Sequence, residues 1–343
     1  MIQLSGASNA FLGISKEGPR CTIHLLGPGN VGCAFLELVD QTSHIITGVT
    51  DSSGTVINAK GLDCDLVIST KRNGNSLASI GESEHLSLGD AVRKVDADVV
   101  IDTTATGVGR KNWGETLNEV VVQSGKPLIL AAKDVAASYA DRWSNSEPEV
   151  SVGINAVLGG TGLQLFESKN ELKKDWIDAA FAGSATTTTI IEVLEDGGSL
   201  EDGLVVAGER GFLEADPELD LKGVDAGLKL SVVEAFLRGK PAKLIDAQDI
   251  RDVDPDIIRD RTREGLTTRL VGRIHRNGSS TLNYEPVPKG GPLDIRCDEV
   301  VYTYQLANGK SYVYNGQGVG AKPTAEAVLA DLNNLSNYGN CKG

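Results

Sequence analysis

With 343 residues the chain is long enough for two domains, and 40% hydrophobic with 23% charged residues is an ordinary globular composition. A net charge of −14 argues against nucleic acid or an anionic membrane as a partner, and no apolar run approaches the ~20 residues of a membrane span. Five scattered cysteines (Cys21, Cys33, Cys64, Cys297 and Cys341) contain no CxxC. That pattern implies neither a disulfide framework nor a zinc site, and points to reduced thiols in a cytoplasmic protein.

Residues 1–20 read as a polar extension without the basic-then-apolar pattern of a signal peptide. "CTIHLL" (21–26) is a buried strand, "GPGNVG" (27–32) a glycine turn, and "CAFLELVDQ" a helix. "HIITGVTD" (44–51) is a second strand ending at Asp51. "DADVVIDTTA" (96–105) and "KPLILAAK" (126–133) supply a third and a fourth, with a helix over 113–126 stopped by Gly125 between them. Strands alternating with helices argue for βαβ units in a parallel sheet.

Beyond about residue 150 the pattern changes. "DWIDAAFAGSATTTTIIEVLE" (175–195) starts β-branched and becomes helical, and "SLEDGLVVAGERG" (199–211) is a helix capped by Ser199 and ended near Gly208 to Gly211. Residues 267–287 and 299–318 read as two strand pairs turning at "NGS" and "NG". A glycine loop with Gly316, Gly318 and Gly320 then enters a last helix started by Pro323 and Thr324. The expected fold class is α/β: a parallel-sheet domain over 1–154, a mixed, antiparallel α+β lobe over 155–315, and a C-terminal glycine loop and helix over 316–343.

The chemistry begins at "GPGNVG", where Gly27, Gly29 and Gly32 have GxGxxG spacing. Gly27 permits a tight turn, Gly29 lets backbone approach a pyrophosphate, and Gly32 lets the helix pack close to the strand. The motif follows a strand, opens a helix, and has Asp51 19 residues after its last glycine. Asp51 can accept from a ribose 2′-hydroxyl, which favours NAD. As a turn aspartate in "TDSSG" it can equally bond its own backbone. The adjacent serines, with Lys71 or Arg72, can instead serve a 2′-phosphate, so NAD and NADP both stay open.

"GPGNVG", "LILAAKDVAA", "ERGFLEADPELDLKGVDAGLKL" and "GQGVGAKPTAEAVLADL" occur in an order and at separations that resemble those of homoserine dehydrogenases, over residues 21–335. The "EADPxxDxxGxDxxxK" block is the most specific part. The resemblance implies reversible interconversion of L-homoserine and L-aspartate 4-semialdehyde with NAD or NADP, by a homodimer acting on a small amino acid. It implies a Rossmann-type nucleotide-binding domain over 1–154, an α+β catalytic and dimerisation domain over 155–315 and a C-terminal segment, 316–343, returning to the first domain, with no room for a fused kinase or an ACT domain. Carried over by motif, Lys133, Asp225 and Lys229 are the expected catalytic residues. Lys133 is the slight favourite for proton transfer, Lys229 polarises the substrate oxygen, and Asp225 orients Lys229. Glu214 would bind the substrate ammonium, with Thr186 and Asp220 beside the substrate. Asn30, Val31, Ser52, Thr104, Lys133, Gly318 and Gly320 would join Gly27, Gly29, Gly32 and Asp51 around the cofactor.

The helix wheel bears on this independently. Gly227, Ser231, Glu234 and Arg238 fall on one side, and Asp225, Lys229, Val232 and Phe236 on the other. Asp225 and Lys229 thus occupy the face expected to be buried, where an i,i+4 pair either pins the helix or does chemistry. Oxidising an alcohol needs a group that takes its proton, and a lysine serves when burial and a neighbouring cation lower its pKa. The four histidines, His24, His44, His85 and His275, fall in none of these motifs. Glu218 and Lys222 read as solvated.

Two segments depart from the family pattern. "GSATT" (183–187) stands where an "NGTTN"-like run is usual, and "NAVLGGTGL" places Asn155 where an acid helps hold sodium. A weak sodium site near Asn155, Leu158 and Gly160 is the one metal expectation. Three functions remain in view: a homoserine dehydrogenase, a diverged paralogue using another small hydroxy- or oxo-acid, and a dinucleotide-binding sensor without turnover.

Overall fold

The computed structural model describes residues 21–107, 117, 121, 125–145, 152–213 and 217–337. Its first half is a seven-stranded sheet ordered β4-β3-β2-β1-β5-β6-β7. The strands are β1 (Cys21–Leu26), β2 (His44–Asp51), β3 (Gly54–Ile57), β4 (Ser83–Glu84), β5 (Val99–Asp102), β6 (Leu128–Leu130) and β7 (Val152–Gly153). From β2 through β7 the pairing is parallel, and β3 and β4 continue it as an antiparallel edge. Helices α1 (Asn30–Leu38), α2 (Cys64–Arg72), α3 (Leu88–Lys94) and α4 (Lys133–Asn145) accompany these strands. The central strands are apolar because both faces are covered: Ile23 and Leu25 join one core with Phe35 and Val67, while Leu26 and Val100 join the other with Val135. The chain leaves β1 towards β2 on one side and towards β5 on the other, so the crevice of a doubly wound sheet lies between β1 and β5. Most of the helix expected over 113–126 lies outside the described residues.

The second sheet is antiparallel throughout, ordered β10-β9-β8-β11-β12, with β8 (Trp176–Ala182), β9 (Leu266–His275), β10 (Ser280–Pro288), β11 (Glu299–Leu306) and β12 (Ser311–Gln317). The two NG-containing turns join β9 to β10 and β11 to β12. Among the described residues the chain after β7 also forms α5 (Gly162–Glu167), α6 (Lys169–Asp175), α7 (Ala185–Glu195), α8 (Leu200–Glu209), α9 (Pro217–Leu221), α10 (Val224–Arg238), α11 (Pro255–Arg263) and α12 (Ala321–Asn337). Ser199 caps α8 in a reciprocal box with Asp202. Helix α12 crosses back to α1, placing Val328 and Leu332 in the core beneath β1.

Helix α10 joins the two halves. It lies along α4, and Leu230 and Val233 share one core with Val135, Tyr139, Phe181 and Tyr302. The polar face drawn on this helix from its sequence needs correcting, because Gly227 and Ser231 are buried. Residues 240–249 run back over them: Ile245 donates its backbone N–H to Ser231 Oγ at 3.1 Å, and a Cβ on Gly227 would collide with the Ile245 carbonyl. Glu234 remains on the polar side, paired to Arg238 at 2.9 Å. The expectation of reduced thiols also needs correcting. Cys33, Cys64 and Cys297 are free, but Cys21 at the start of β1 is disulfide-bonded to a partner outside the described residues. Scattered spacing carries no signal for a single pairing.

Candidate active site

The site is built on the C-terminal edge of the first sheet. Gly27 leaves β1 at φ +78° and donates to the Thr50 carbonyl of β2 at 2.8 Å. A side chain there would be strained and would press on Thr104 at 2.7 Å. A Cβ on Gly32 would lie 2.5 Å from the Gly27 carbonyl oxygen and 2.8 Å from Thr103 Oγ1, so α1 can approach the turn because position 32 is glycine. At Gly29 a Cβ would meet nothing within 4 Å, and Gly29 caps α1 without a side-chain hydrogen bond. The first-turn N–H groups of α1 therefore border open space, the arrangement that suits a phosphate.

Two recesses flank the start of α1. One, of about 450 Å³, is lined by Gly27, Gly29, Asp51, Ser52 and Thr104 together with Lys71 and His85. Both oxygens of Asp51 are engaged there. Oδ1 accepts from Ser53 N–H at 2.7 Å and from Ser53 Oγ at 2.5 Å, and Oδ2 accepts from Lys71 Nζ at 2.6 Å. Burial opposes the charge, but the Lys71 and Ser53 bonds outweigh it and hold the carboxyl below its usual range.

The second recess, of about 320 Å³, is lined by Asn30, Val31, Lys133, Thr186, Asp220, Asp225, Lys229, Gly318 and Gly320. Lys133 opens α4, and Asp225 and Lys229 lie in the first turns of α10, so the packing of those two helices brings the three charges together. Asp225 bridges both lysines, with Oδ1 2.9 Å from Lys133 Nζ and Oδ2 3.0 Å from Lys229 Nζ. Contrary to the expectation from the sequence, the two lysines do not face each other directly across a cleft; a carboxylate lies between them. The side chain of Lys229 is only 4% exposed and that of Asp225 is 39% exposed, so the bridge forms a wall of the recess rather than a sealed core pair. Burial opposes ionisation of Asp225, yet the two ammonium groups hold its carboxyl far below the usual carboxylate range. The three groups together carry one net positive charge.

Around this bridge, Thr186 Oγ1 donates to the Phe212 carbonyl at 2.7 Å, and Ser184 caps α7 where its N-terminus meets the recess. Asp220, on α9, lines the same recess. Glu214 lies outside the described residues. Gly32 lines neither recess and acts through packing. Gly183 and Ser184, from the GSATT segment, line the second recess, and so do Phe212 and Glu299, which the sequence did not single out. Ser184 was findable as a serine heading a helical run, whereas nothing local marks Glu299.

A family model described as homoserine dehydrogenase matches residues 168–332, and one described as glutamate/leucine/phenylalanine/valine dehydrogenase matches 7–109. The homoserine dehydrogenase of Pyrococcus horikoshii is 26% identical over 330 residues, 91% of this chain and 96% of that one. That of Methanocaldococcus jannaschii is 26% identical over 304 residues, 85% and 89% of the two chains. The chain is thus similar to homoserine dehydrogenases over most of its length, and residues 168–332 carry the match to that family's model. In fold it resembles a hyperthermophilic archaeal homoserine dehydrogenase solved in complex with NADPH (TM-score 0.76, 21% identity, 93% of this chain and 98% of that one). It also resembles the enzyme of Thermoplasma acidophilum (TM-score 0.70, 22% identity, 93% and 99%). The stretch matched by the homoserine dehydrogenase model contains Thr186, Asp220, Asp225 and Lys229, while the other model spans the glycine turn and Asp51.

Near Asn155, Leu158 and Gly160, where a weak sodium site was the metal expectation, the side-chain and backbone oxygens of Asn155 and the Leu158 carbonyl make internal bonds. Asn155 Oδ1 accepts from Leu163 N–H, its backbone oxygen accepts from Gly160 N–H, and the Leu158 carbonyl accepts from Thr161 Oγ1. No group of three or more His, Cys, Asp or Glu placed to hold a metal occurs among the described residues.

Proposed function

We propose that the chain catalyses NAD(P)-dependent interconversion of L-homoserine and L-aspartate 4-semialdehyde. The observation that carries this reading is the Lys133–Asp225–Lys229 bridge, in a recess that reaches Asn30 and Val31 at the start of α1. The open glycine turn fits a dinucleotide, which when bound would supply a hydride acceptor or donor at its nicotinamide. The chain supplies the rest. Homoserine has an ammonium, a carboxylate and a hydroxyl, and the recess offers a partner for each. Asp220 suits the ammonium, with Glu214 in the same role by family resemblance. The α7 N-terminus suits the carboxylate. Lys133 and Lys229 suit the oxygen: Lys229 polarises it, Lys133 moves its proton, and Asp225 fixes both. The net positive charge favours the oxyanion that develops in either direction.

In this reading residues up to 154 hold the dinucleotide, 155–315 hold the substrate and the dimer contact, and the segment from 316 returns to the first domain. The enzyme works in the cytoplasm as a homodimer. Support for the dimer comes from the outer face of the second sheet, where Ala180, Arg273, Thr303 and Val313 stand in register and Val313 is 46% exposed.

A second reading keeps the hydride transfer and changes the acid, because Gly183, Ser184 and Thr186 line the recess with a run unlike the usual one. The test is formation of NADH or NADPH from L-homoserine and a panel of related hydroxy acids, with Lys229→Ala as control. Turnover on homoserine that the control abolishes supports the first reading; turnover on another acid alone replaces it with the second. Nucleotide binding without turnover on any acid sinks both.

A further inference from the structure

We infer that Asp51, held by Lys71, makes this site select NAD(H) over NADP(H). The inference rests on the dinucleotide reading above and names the form of the cofactor. Asp51 ends β2 and faces a recess whose described lining contains one Lys or Arg, namely Lys71. The neighbouring cation, Arg72, points away and pairs with Glu37. The side chains of Asp51 and Lys71 are 12% and 24% exposed, so solvent screens the carboxylate poorly. His85 also borders the recess, with Nδ1 3.2 Å from the Ser53 carbonyl oxygen.

The remaining capacity of the carboxylate identifies the group it can take. An ionised carboxylate has about four acceptor sites. Oδ1 takes two hydrogen bonds from Ser53 and Oδ2 takes one from Lys71, which leaves one site on Oδ2. A ribose 2′-hydroxyl has one proton to donate and fits that vacancy. A 2′-phosphate carries about −1.5 to −2 charges at neutral pH and in that form brings mainly acceptors. To bind it, Lys71 would have to leave Asp51, exposing a largely buried carboxylate to a near-dianion. Against that repulsion the site offers one ammonium already neutralised and the Ser52 hydroxyl. Like charges brought together at an interface cost several kcal/mol, enough to decide between the two cofactors.

The experiment is titration of the purified chain with NADH and with NADPH, without substrate, following nicotinamide fluorescence. NADH should bind at least about tenfold more tightly. Asp51→Asn, which keeps an acceptor for Ser53 and removes the charge, should shrink that preference at least about tenfold by freeing Lys71 for the phosphate. Lys71→Ala should retain the NADH preference, because a phosphate then loses its one cation. NADPH binding as tightly as NADH to the wild-type chain overturns the inference and leaves the proposed reaction standing. A Lys71→Ala variant that binds NADPH as tightly as NADH overturns it too. Binding of neither nucleotide removes the dinucleotide reading together with this one.

Discussion

The Lys229 ammonium is buried at 3% relative exposure of the residue and is held by Asp225 at 3.0 Å. Such a charge is costly without a counter-ion, so the pair has two separable roles, and each variant isolates one. Replacing Lys229 by Ala removes the group proposed to polarise the substrate oxygen while leaving Asp225 paired to Lys133. Its kcat should fall at least ~100-fold, the usual contribution of a positioned acid–base group, with the NADH dissociation constant unchanged within about twofold. Initial rates and a fluorescence titration check both numbers. Asp225→Asn should instead be felt in stability as well as rate, because it strands a buried cation. The expected cost is on the order of 2 kcal/mol, below that of a fully buried pair because Asp225 faces the recess. Urea denaturation measures it, and an unchanged midpoint would show that Lys229 finds another partner.

At the scale of elements, α10 shows what decides a helix in context. Gly227 lies within it, and Ala there should gain ~1 kcal/mol of helix propensity. The added Cβ would collide with the Ile245 carbonyl of the segment lying over the helix. The collision is with backbone, so it should outweigh propensity and leave Gly227→Ala less stable by ~1–3 kcal/mol. A thermal melt with a higher midpoint than wild type would show that the covering segment yields. The same helix marks where sequence reasoning reached its limit. The strands at 21–26 and 44–51, the two NG turns, the Ser199 cap and the inward face of Asp225 and Lys229 follow from periodicity and local chemistry. The covering of Gly227 and Ser231 does not, since residues 240–249 have no periodic pattern. Glu299 in the recess is equally silent, being brought there by sheet pairing over a long separation. The lysine assignment came from motif and resemblance, but the placing of Asp225 between the two lysines required the packing of α4 on α10.

At the scale of the molecule, the C-terminal helix closes the chain on itself through one buried acid. Asp331, on α12, is 2% exposed and accepts from the backbone N–H of Asn155 at 2.8 Å, against Gly153 of β7. Burial pushes its pKa up to about 8, and the Asn155 bond only partly opposes this. The ordinary value in an unfolded chain is ~3.9. Between those two values the native state holds a proton that the unfolded state has released. The contribution of Asp331 is therefore fully present below pH ~4 and is lost as pH rises through about 8. Asp331→Asn keeps an oxygen acceptor for Asn155 and stays neutral at every pH. The variant should match or fall slightly below wild type near pH 5 and exceed it at pH 9, a change in relative stability of at least ~1 kcal/mol. Chemical denaturation across that range would show it. Parallel profiles for the two proteins would mean that Asp331 does not titrate between them, and that the docking of α12 against β7 carries no pH dependence of its own.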